Sequence, residues 1–350
     1  MCGIFGGYNV SFDVVKKGIN LIKRGNDGIT VAELDKKIIF AARRHTIKFS
    51  GYENKLQERS DQPYQSENKD ISLIFNGEFY NFEKYKKGLK KKGILFKTQG
   101  DTEVLLKLYE NYGIEFLKDK GIDALYSIAI FDKKLNKIFI SRDWPGRIPL
   151  YYFYDKEKFI FSSELKAFKA IKGLSLQEPI ELEPGKIVEF NIKNKELKII
   201  SNYDLKPYFS KNNKDILKLG EELHNVLDES AKNRTMGDVP ICTMLSGGID
   251  SVLTTYYVLK NINFKKVDFE PTSYVFKVKG FDSIDVKTAK VATAGFEKIG
   301  LKLRVIEAEE NQIVNDMPRI VETFEMRELK ALSFYPLPIY WYLAPKMHKD

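Results

Sequence analysis

The segment Ser246-Gly247-Gly248-Ile249-Asp250-Ser251 constrains the fold of this chain more than any other stretch. The run Val239-Pro240-Ile241-Cys242-Thr243-Met244-Leu245 before it has the length and apolarity of a buried strand. Val252 to Leu259, after it, is apolar enough to be a helix packed on a sheet. A strand, a glycine pair and a helix in succession make a phosphate site. The glycines let backbone approach an anion closely, and the N–H groups that start the helix point at negative charge. Ser246 and Ser251 add hydroxyl donors, and Asp250 is a candidate ligand for a magnesium ion bridging phosphate oxygens. A plain Gly-Gly turn capped by Ser or Asp has the same spacing, so spacing alone leaves both readings open.

The surrounding pattern extends this unit. Ile216 to Asn233 has helical apolar spacing through Leu219, Leu223, Val226 and Leu227 and leads into the loop. Beyond the loop, 273–278 and 301–306 read as strands, and 286–299 and 311–324 as helices. That alternation predicts an α/β doubly wound parallel sheet with ligand at the carboxyl ends of its strands. Upstream, Pro184-Gly185 marks a turn, and residues 201–215 shift to Asn, Lys, Pro and Ser. The expected division is therefore a domain over 2–200, a linker over 201–215 and a second domain over 216–350.

The first domain reads as many strands with a few helices. Strands are expected at 37–42, 71–75, 124–131, 137–141, 150–154 and 159–162, and helices at 82–92 and 102–112, a layered α+β arrangement. The chain opens Met1-Cys2-Gly3-Ile4-Phe5-Gly6-Gly7. A cysteine there is often just a small apolar residue. With Met1 removed, however, Cys2 carries a free α-amine beside its thiol. Their reference pKa values, roughly 7.7–8.0 and 8.5, let the amine act as general base at neutral pH. Gly3 is expected to leave room for a substrate over the thiol.

Composition closes off several classes. The net charge is +9, but Lys and Glu alternate through most segments. The densest basic run, Lys86-Lys87 with Lys90-Lys91-Lys92, has helical spacing and reads as a solvated face rather than a nucleic-acid site. No apolar run reaches transmembrane length, and no hydrophobic signal segment opens the chain. Two cysteines and three histidines do not supply the usual structural zinc site. Cys2 and Cys242 are too few for a disulfide framework, and a reduced, cytoplasmic protein is expected.

Several motifs carry resemblances. The hexapeptide 246–251 is similar to the pyrophosphate loop of ATP-pyrophosphatase enzymes, which form acyl-adenylates; the Walker pattern is absent. Cys2-Gly3-Ile4-Phe5-Gly6, Arg44-His45-Thr46-Ile47, Asn76-Gly77-Glu78-Phe79-Tyr80-Asn81 and Gly100-Asp101-Thr102-Glu103 follow one another over the first domain. Together they resemble the class II glutamine amidotransferase domain. That resemblance implies an N-terminal-nucleophile hydrolase sandwich, two antiparallel sheets between helices. It implies that Cys2 attacks the glutamine amide and that Asn76 and Gly77 form the oxyanion hole. Arg44 would bind the α-carboxylate and Asp101 the α-ammonium, with His45, Thr46, Ile47, Lys48 and Glu78 lining the pocket. Taken singly, Asn76-Gly77 also suits a hairpin turn, Asp101 a helix cap and Arg44 a surface charge.

Arg142-Asp143-Trp144-Pro145-Gly146-Arg147 through Tyr152, with Phe161-Ser162-Ser163-Glu164-Leu165-Lys166, is similar to glutamine-hydrolysing asparagine synthetases. The resemblance implies ATP and Mg2+ acting with aspartate and glutamine to give β-aspartyl-AMP, then asparagine. It places adenosine contacts on Leu245 and Phe276 and the pyrophosphate on Ser246, Gly247, Gly248, Asp250 and Ser251. Glu322-Thr323-Phe324-Glu325 and Pro336 to Tyr340 resemble segments around the aspartate site. The family usually has Leu where His45 stands, and His-Arg-Gly-Pro-Asp where this chain has Lys23-Arg24-Gly25-Asn26-Asp27. The second change is expected to loosen a loop near the pocket and the first to leave the backbone contacts intact, with His45 as base only the minor alternative. Family members continue with an acidic Gly-Glu-Gly loop not found here, which suggests a truncated second domain and a homodimer or a complementing C-terminal half as partner. A related amide ligase of the same architecture, or a glutaminase-only or non-catalytic fragment, remains the alternative.

Overall fold

The computed structural model describes residues 2–45, 61–201, 215–235, 237, 240–262, 270–325 and 336–349. The chain divides into two compact units, Met1–Lys211 and Asn212–Asp350.

The first unit holds β1 (Gly3–Tyr8), α1 (Phe12–Leu21), β2 (Gly28–Asp35), β3 (Ile38–Arg44), β4 (Tyr64–Gln65), β5 (Ile71–Phe79), α2 (Phe82–Lys91) and α3 (Asp101–Tyr112). It continues through β6 (Ala124–Asp132), β7 (Lys137–Arg142), β8 (Tyr151–Tyr154), β9 (Phe159–Ser162), β10 (Ile180–Glu181), β11 (Lys186–Asn191) and β12 (Glu196–Ser201). The strands form two six-stranded antiparallel sheets, ordered β10-β8-β9-β1-β3-β2 and β12-β11-β7-β6-β5-β4.

Alternation explains why the sheets stack. Successive side chains of a strand face opposite ways, so a strand apolar at every position must be covered on both faces. Ile4, Phe40 and Phe161 of the first sheet meet Ile74, Ala129, Ile140 and Phe190 of the second in one core. Phe159 and Phe190 stack across the gap with ring centroids 4.8 Å apart. Truncating an aromatic buried this way to alanine costs about 3–5 kcal/mol. Phe5 and Ile160 point the other way, onto Val15 and Ile19 of α1 and Phe168 of the 3-10 turn Leu165–Ala170. On the far side, Tyr109 of α3 packs on Phe139 of β7 at 6.1 Å. The result is helix, sheet, sheet, helix: the expected sandwich.

Two sequence expectations change here. Asn76-Gly77 is not a hairpin turn but part of β5, with Asn76 opposite Ser127 and Gly77 opposite Tyr126. A Cβ at Gly77 would lie 2.0 Å from the Leu125 carbonyl oxygen, so close approach of the neighbouring strand, not a turn, selects glycine. Lys86 is not solvated: it is 2% exposed, its Nζ donating to Thr98 O and Gln99 Oε1, each at 2.9 Å. The loop between the helices supplies acceptors that water would otherwise provide. Lys87, Lys90, Lys91 and Lys92 remain exposed.

The second unit holds α4 (Ile216–Arg234), β13 (Thr243–Met244), α5 (Ile249–Asn261), β14 (Thr272–Val278), α6 (Ile284–Ala294), β15 (Lys302–Ala308), α7 (Glu310–Phe324) and α8 (Leu337–Lys349). Its three strands are parallel in the order β13-β14-β15. Leu245 and Val275 pack with Leu259 of α5 and Val286 and Ala289 of α6 on one face. Phe276, one residue on, turns to the other face and stacks on Tyr342 of α8 at 5.7 Å. Helices thus cover both faces, as expected of a doubly wound sheet. Of the strand expected at 239–245, Val239 lies outside the described residues, and of the rest Thr243 and Met244 pair with Ser273 and Tyr274. No helix among the described residues is long and apolar enough to cross a membrane.

Candidate functional site

Cys2 sits directly ahead of β1, the strand held between β9 and β3 in the first sheet. Its Sγ accepts the backbone N–H of His45 at 3.3 Å, just past the end of β3. The two sequence-distant motifs therefore meet because β1 and β3 pair antiparallel, with Gly3 opposite Arg43. Burial pushes the thiol above its ordinary range, and the nearby Asp101 charge adds to that rise; the His45 N–H and the Arg44 charge work against it. A thiol so placed is neutral at pH 7 and needs a base to become a nucleophile.

Cys2 opens on a cavity of 160 Å³ whose wall includes Asp27, Thr30, Arg44, Asp61 and Gln62. The Arg44 guanidinium is ion-paired with Asp61 there. The ring of His45 faces Asp27, with Nδ1 3.7 Å from Oδ2, so it is the backbone of His45 that addresses the thiol. Thr46, Ile47 and Lys48 lie outside the described residues. Gly3 does not make room for substrate: a Cβ there would lie 2.5 Å from Ile22 Cγ2, so packing takes that space.

Asn76, Gly77, Asp101 and Glu78, the last expected to line the pocket, are not among the described residues that line this cavity. Asp101 is the first residue of α3, with Gly100 in the N-cap position, so it does not cap that helix. Its carboxylate accepts the N–H of Phe79 at 3.1 Å, while the N–H of Phe75 goes to Gln62 Oε1 at 2.6 Å. Alternate N–H groups of a strand point the same way. The Gly77 N–H therefore faces the same edge of β5, between those of Phe75 and Phe79. Asn76 is fully buried, and its Nδ2 donates to Ser163 Oγ, just past β9 of the first sheet, at 3.3 Å. Glu78 is half-buried at the same end of β5.

The loop over residues 23–27 is tied down rather than loosened. Arg43 donates to Gly25 O and Ile22 O, each at 2.6 Å. Arg24 Nε donates to Glu164 Oε1 at 2.5 Å. Burial alone would raise the Glu164 carboxyl, but Arg24 and Lys166 outweigh it and hold it below its usual range. A depressed carboxyl stabilises the fold above its unfolded pKa, and that contribution is lost as pH falls below about 4.3. Glu164→Gln is expected to cost about 1–3 kcal/mol at neutral pH and to flatten the acid limb of a melting-temperature profile below about pH 4.3. Identical acid limbs for the two proteins would show that the pair has no such role.

Sequence reasoning did not single out Asp61 or Gln62, and it placed Ser163 in the segment Phe161 to Lys166 without a role of its own. Asp61 and Gln62 lie far from any quoted motif, and Ser163 looks like one more small residue in a strand end. Only the sheet pairing brings them to the thiol and the amide. The segment 142–152 reads more simply. Arg142 donates to Glu181 Oε1 and Leu182 O, each at 2.8 Å, and Asp143 accepts from the N–H groups of Arg147 and Ile148 at 3.1 and 3.2 Å. It is a structural staple. Cys2 and Cys242 are both thiols.

In the second unit the loop 246–251 leaves β13 and enters α5 with Gly248 as its N-cap. Ser251 Oγ donates to Gly248 O at 2.9 Å, Ser246 Oγ lies 3.1 Å from Ser251 Oγ, and the Gly248 N–H reaches Ser246 Oγ at 3.4 Å. Gly247 has φ +80, and a Cβ there would lie 2.4 Å from the Thr288 carbonyl carbon. Thr288 Oγ1 donates to Ser246 O at 2.7 Å, so α6 braces the loop. Leu245 is fully buried and Phe276 is covered on one side by Tyr342. Asp250 is exposed in the first turn of α5. No group of three or more His, Cys, Asp or Glu gathers among the described residues.

Comparison with known proteins gives matches over both units. Residues 1–196 match the glutamine amidotransferase domain family, and residues 222–349 match the asparagine synthase family. Asparagine synthetase B [glutamine-hydrolyzing] of Escherichia coli is 26% identical over 349 residues, covering 95% of this chain and 59% of that protein. Asparagine synthetase [glutamine-hydrolyzing] 1 of Bacillus subtilis is 28% identical over 296 residues, covering 77% of this chain and 44% of that one. The chain therefore spans less than two thirds of the length of these relatives. Among solved structures, the glutamine phosphoribosylpyrophosphate amidotransferase of B. subtilis aligns with a TM-score of 0.46 at 15% identity, covering 87% of this chain and 81% of that one.

Proposed function

This chain belongs to the glutamine amidotransferase family, with an asparagine synthase segment behind the amidotransferase domain, and on that premise we propose that it hydrolyses glutamine at Cys2 to supply ammonia for ATP-dependent asparagine formation. The observation that carries the reading is the Cys2 thiol held by the His45 N–H on the wall of a cavity that also presents Arg44.

Removal of Met1 leaves the α-amine of Cys2 as the nearest base. It takes the Sγ proton as sulfur attacks the carboxamide carbon of glutamine. Charge then develops on the carbonyl oxygen, and the Gly77 N–H and the Asn76 amide stabilise it. Collapse expels ammonia, which leaves with the proton from the amine, and a glutamyl thioester remains on Cys2. Water, deprotonated by the same amine, attacks the thioester, and glutamate departs as the thiol re-forms. Arg44 exchanges Asp61 for the glutamine α-carboxylate, and Asp101 takes the α-ammonium. Arg44→Ala is expected to raise KM for glutamine about 10- to 100-fold with a smaller change in kcat, and Arg44→Lys to fall between. An unchanged KM in steady-state assays of ammonia release would remove Arg44 from the substrate.

In the second unit, the loop from Leu245 to Ser251 would receive ATP, and aspartate would be the carboxylate activated. The residues fit magnesium only sparingly. Asp250 offers one carboxylate, which suffices for an ion that keeps waters and phosphate oxygens as its other ligands. Bound there, magnesium would neutralise phosphate charge. Aspartate-dependent release of pyrophosphate from ATP tests this half. Intact glutaminase without pyrophosphate release would confine the activity to the first unit.

A further inference from the structure

Asn76 helps an oxyanion only if one of its two Nδ2 hydrogens is aimed at the attacked carbonyl oxygen. The torsion that turns a carboxamide is broad and two-fold, so something must fix it. The hydrogen bonds identify what does. Asn76 Nδ2 donates to Ser163 Oγ at 3.3 Å. The Ser163 hydroxyl is itself held: the residue is 0% exposed, and its Oγ also accepts the N–H of Ile4 at 3.0 Å. Its own N–H donates to Ile4 O at 2.9 Å. Ser163 is thus fastened to β1, the strand that carries Cys2 at its head.

The other end of the amide gives no hold. Asn76 Oδ1 is buried with no partner among the described residues. Ser127 stands opposite Asn76, and Arg142 opposite Ser127, along one row of the second sheet. Ser127 Oγ and Arg142 Nε are also buried without a partner among the described residues. Neighbours on that side therefore do not anchor the amide.

We propose that Ser163 is the positioning residue of the oxyanion site: it accepts one Nδ2 hydrogen of Asn76 and so turns the other towards the carboxamide oxygen of the glutamine attacked by Cys2. The inference rests on the hydrolysis reading above. It explains why the Phe161 to Lys166 segment belongs with the catalytic motifs although no residue of it lines the cavity among those described.

Steady-state glutamine hydrolysis by the full chain tests it, with Ser163→Ala, Asn76→Ala and the double variant. Asn76→Ala is expected to lower kcat about 100-fold. Ser163→Ala is expected to lower kcat about 10-fold, with KM for glutamine and the rate of Cys2 alkylation by iodoacetamide unchanged. The double variant should be no slower than Asn76→Ala, because Ser163 acts only through the amide. Ser163→Cys, which keeps the size but offers a weaker acceptor, should fall between wild type and Ser163→Ala. It carries the same test if the alanine variant does not fold. Wild-type kcat in Ser163→Ala and Ser163→Cys overturns the proposal. So do additive losses in the double variant, or a rise in KM accompanied by slower alkylation, which a merely structural role would produce. If Asn76→Ala itself hydrolyses glutamine at the wild-type rate, the oxyanion assignment fails first and takes the proposal with it, whereas a failure at Ser163 alone leaves glutamine hydrolysis standing.

Discussion

Cys2→Ala is expected to abolish ammonia release from glutamine, lowering kcat by roughly 10^4- to 10^6-fold, the range seen when a covalent nucleophile is deleted. The size of the effect follows from the environment of the thiol. Burial holds the thiol proton on, so the nucleophilic thiolate forms only where a base takes that proton. Cys2→Ser should be almost as inactive, since a hydroxyl is a far weaker acid than a thiol and the same amine must deprotonate it. The fold should barely notice, because Cys2 lies ahead of β1 and belongs to neither the core between the sheets nor the core under α1. Melting of Cys2→Ala should match wild type within about 0.5 kcal/mol. A second control separates the base from the nucleophile: protein in which Met1 is retained keeps the thiol but lacks its α-amine. It should be nearly inactive. Wild-type turnover in the alanine variant, or in protein shown by mass to retain Met1, would defeat the mechanism.

On the other unit, the largest effect is expected of Gly247→Ala. Two penalties combine. The residue holds φ +80, where a Cβ strains the backbone, and that Cβ would sit 2.4 Å from the Thr288 carbonyl carbon and 2.6 Å from the Ala289 nitrogen. Those are backbone atoms of α6 and cannot swing aside. Left-handed strain costs about 1–2 kcal/mol and overpacking a further 1–3 kcal/mol. Relief requires the loop to lift from α6, which breaks the bond from Thr288 Oγ1 to Ser246 O. ATP affinity, measured by equilibrium binding to the full chain, is expected to fall more than about 10-fold, while glutamine hydrolysis stays at the wild-type rate. Unchanged ATP affinity would show that the loop is not the phosphate cradle.

Much of the molecule is legible in its sequence, for identifiable reasons. Strands apolar on both faces, such as β5, β6 and β7, announce themselves because two sheets must sandwich them. The parallel unit is readable from the alternation of β14, α6, β15 and α7. What is missed clusters at residues 3–35. β1 contains Gly3, Gly6 and Gly7, which weaken any strand signal. Gly6 and Gly7 are there because a Cβ would strike Ile39 O at 2.5 Å and Phe159 O at 2.0 Å. β2 is an edge strand with little buried surface, so its pattern carries little hydrophobic contrast. The site divides the same way. Motif residues such as Cys2, Arg44 and Asn76 are visible one by one. That His45 meets the thiol through its backbone, that Asp61 pairs with Arg44 and that Ser163 holds Asn76 are products of strand pairing, which no local pattern encodes. Lys86 is a plainer case: its burial depends on acceptors from a loop twelve residues away in sequence.

Chain ends ordinarily fray over their first few residues, yet here the leading strand is clamped on both flanks within its sheet. The amide hydrogens of Phe5 and Gly6 should therefore exchange with solvent only when the whole sheet opens. The same clamp has a practical side. Anything fused ahead of Cys2, an affinity tag included, would be held at the entrance of the cavity and would convert the amine into an amide, so a handle for purification belongs at the opposite end of the chain.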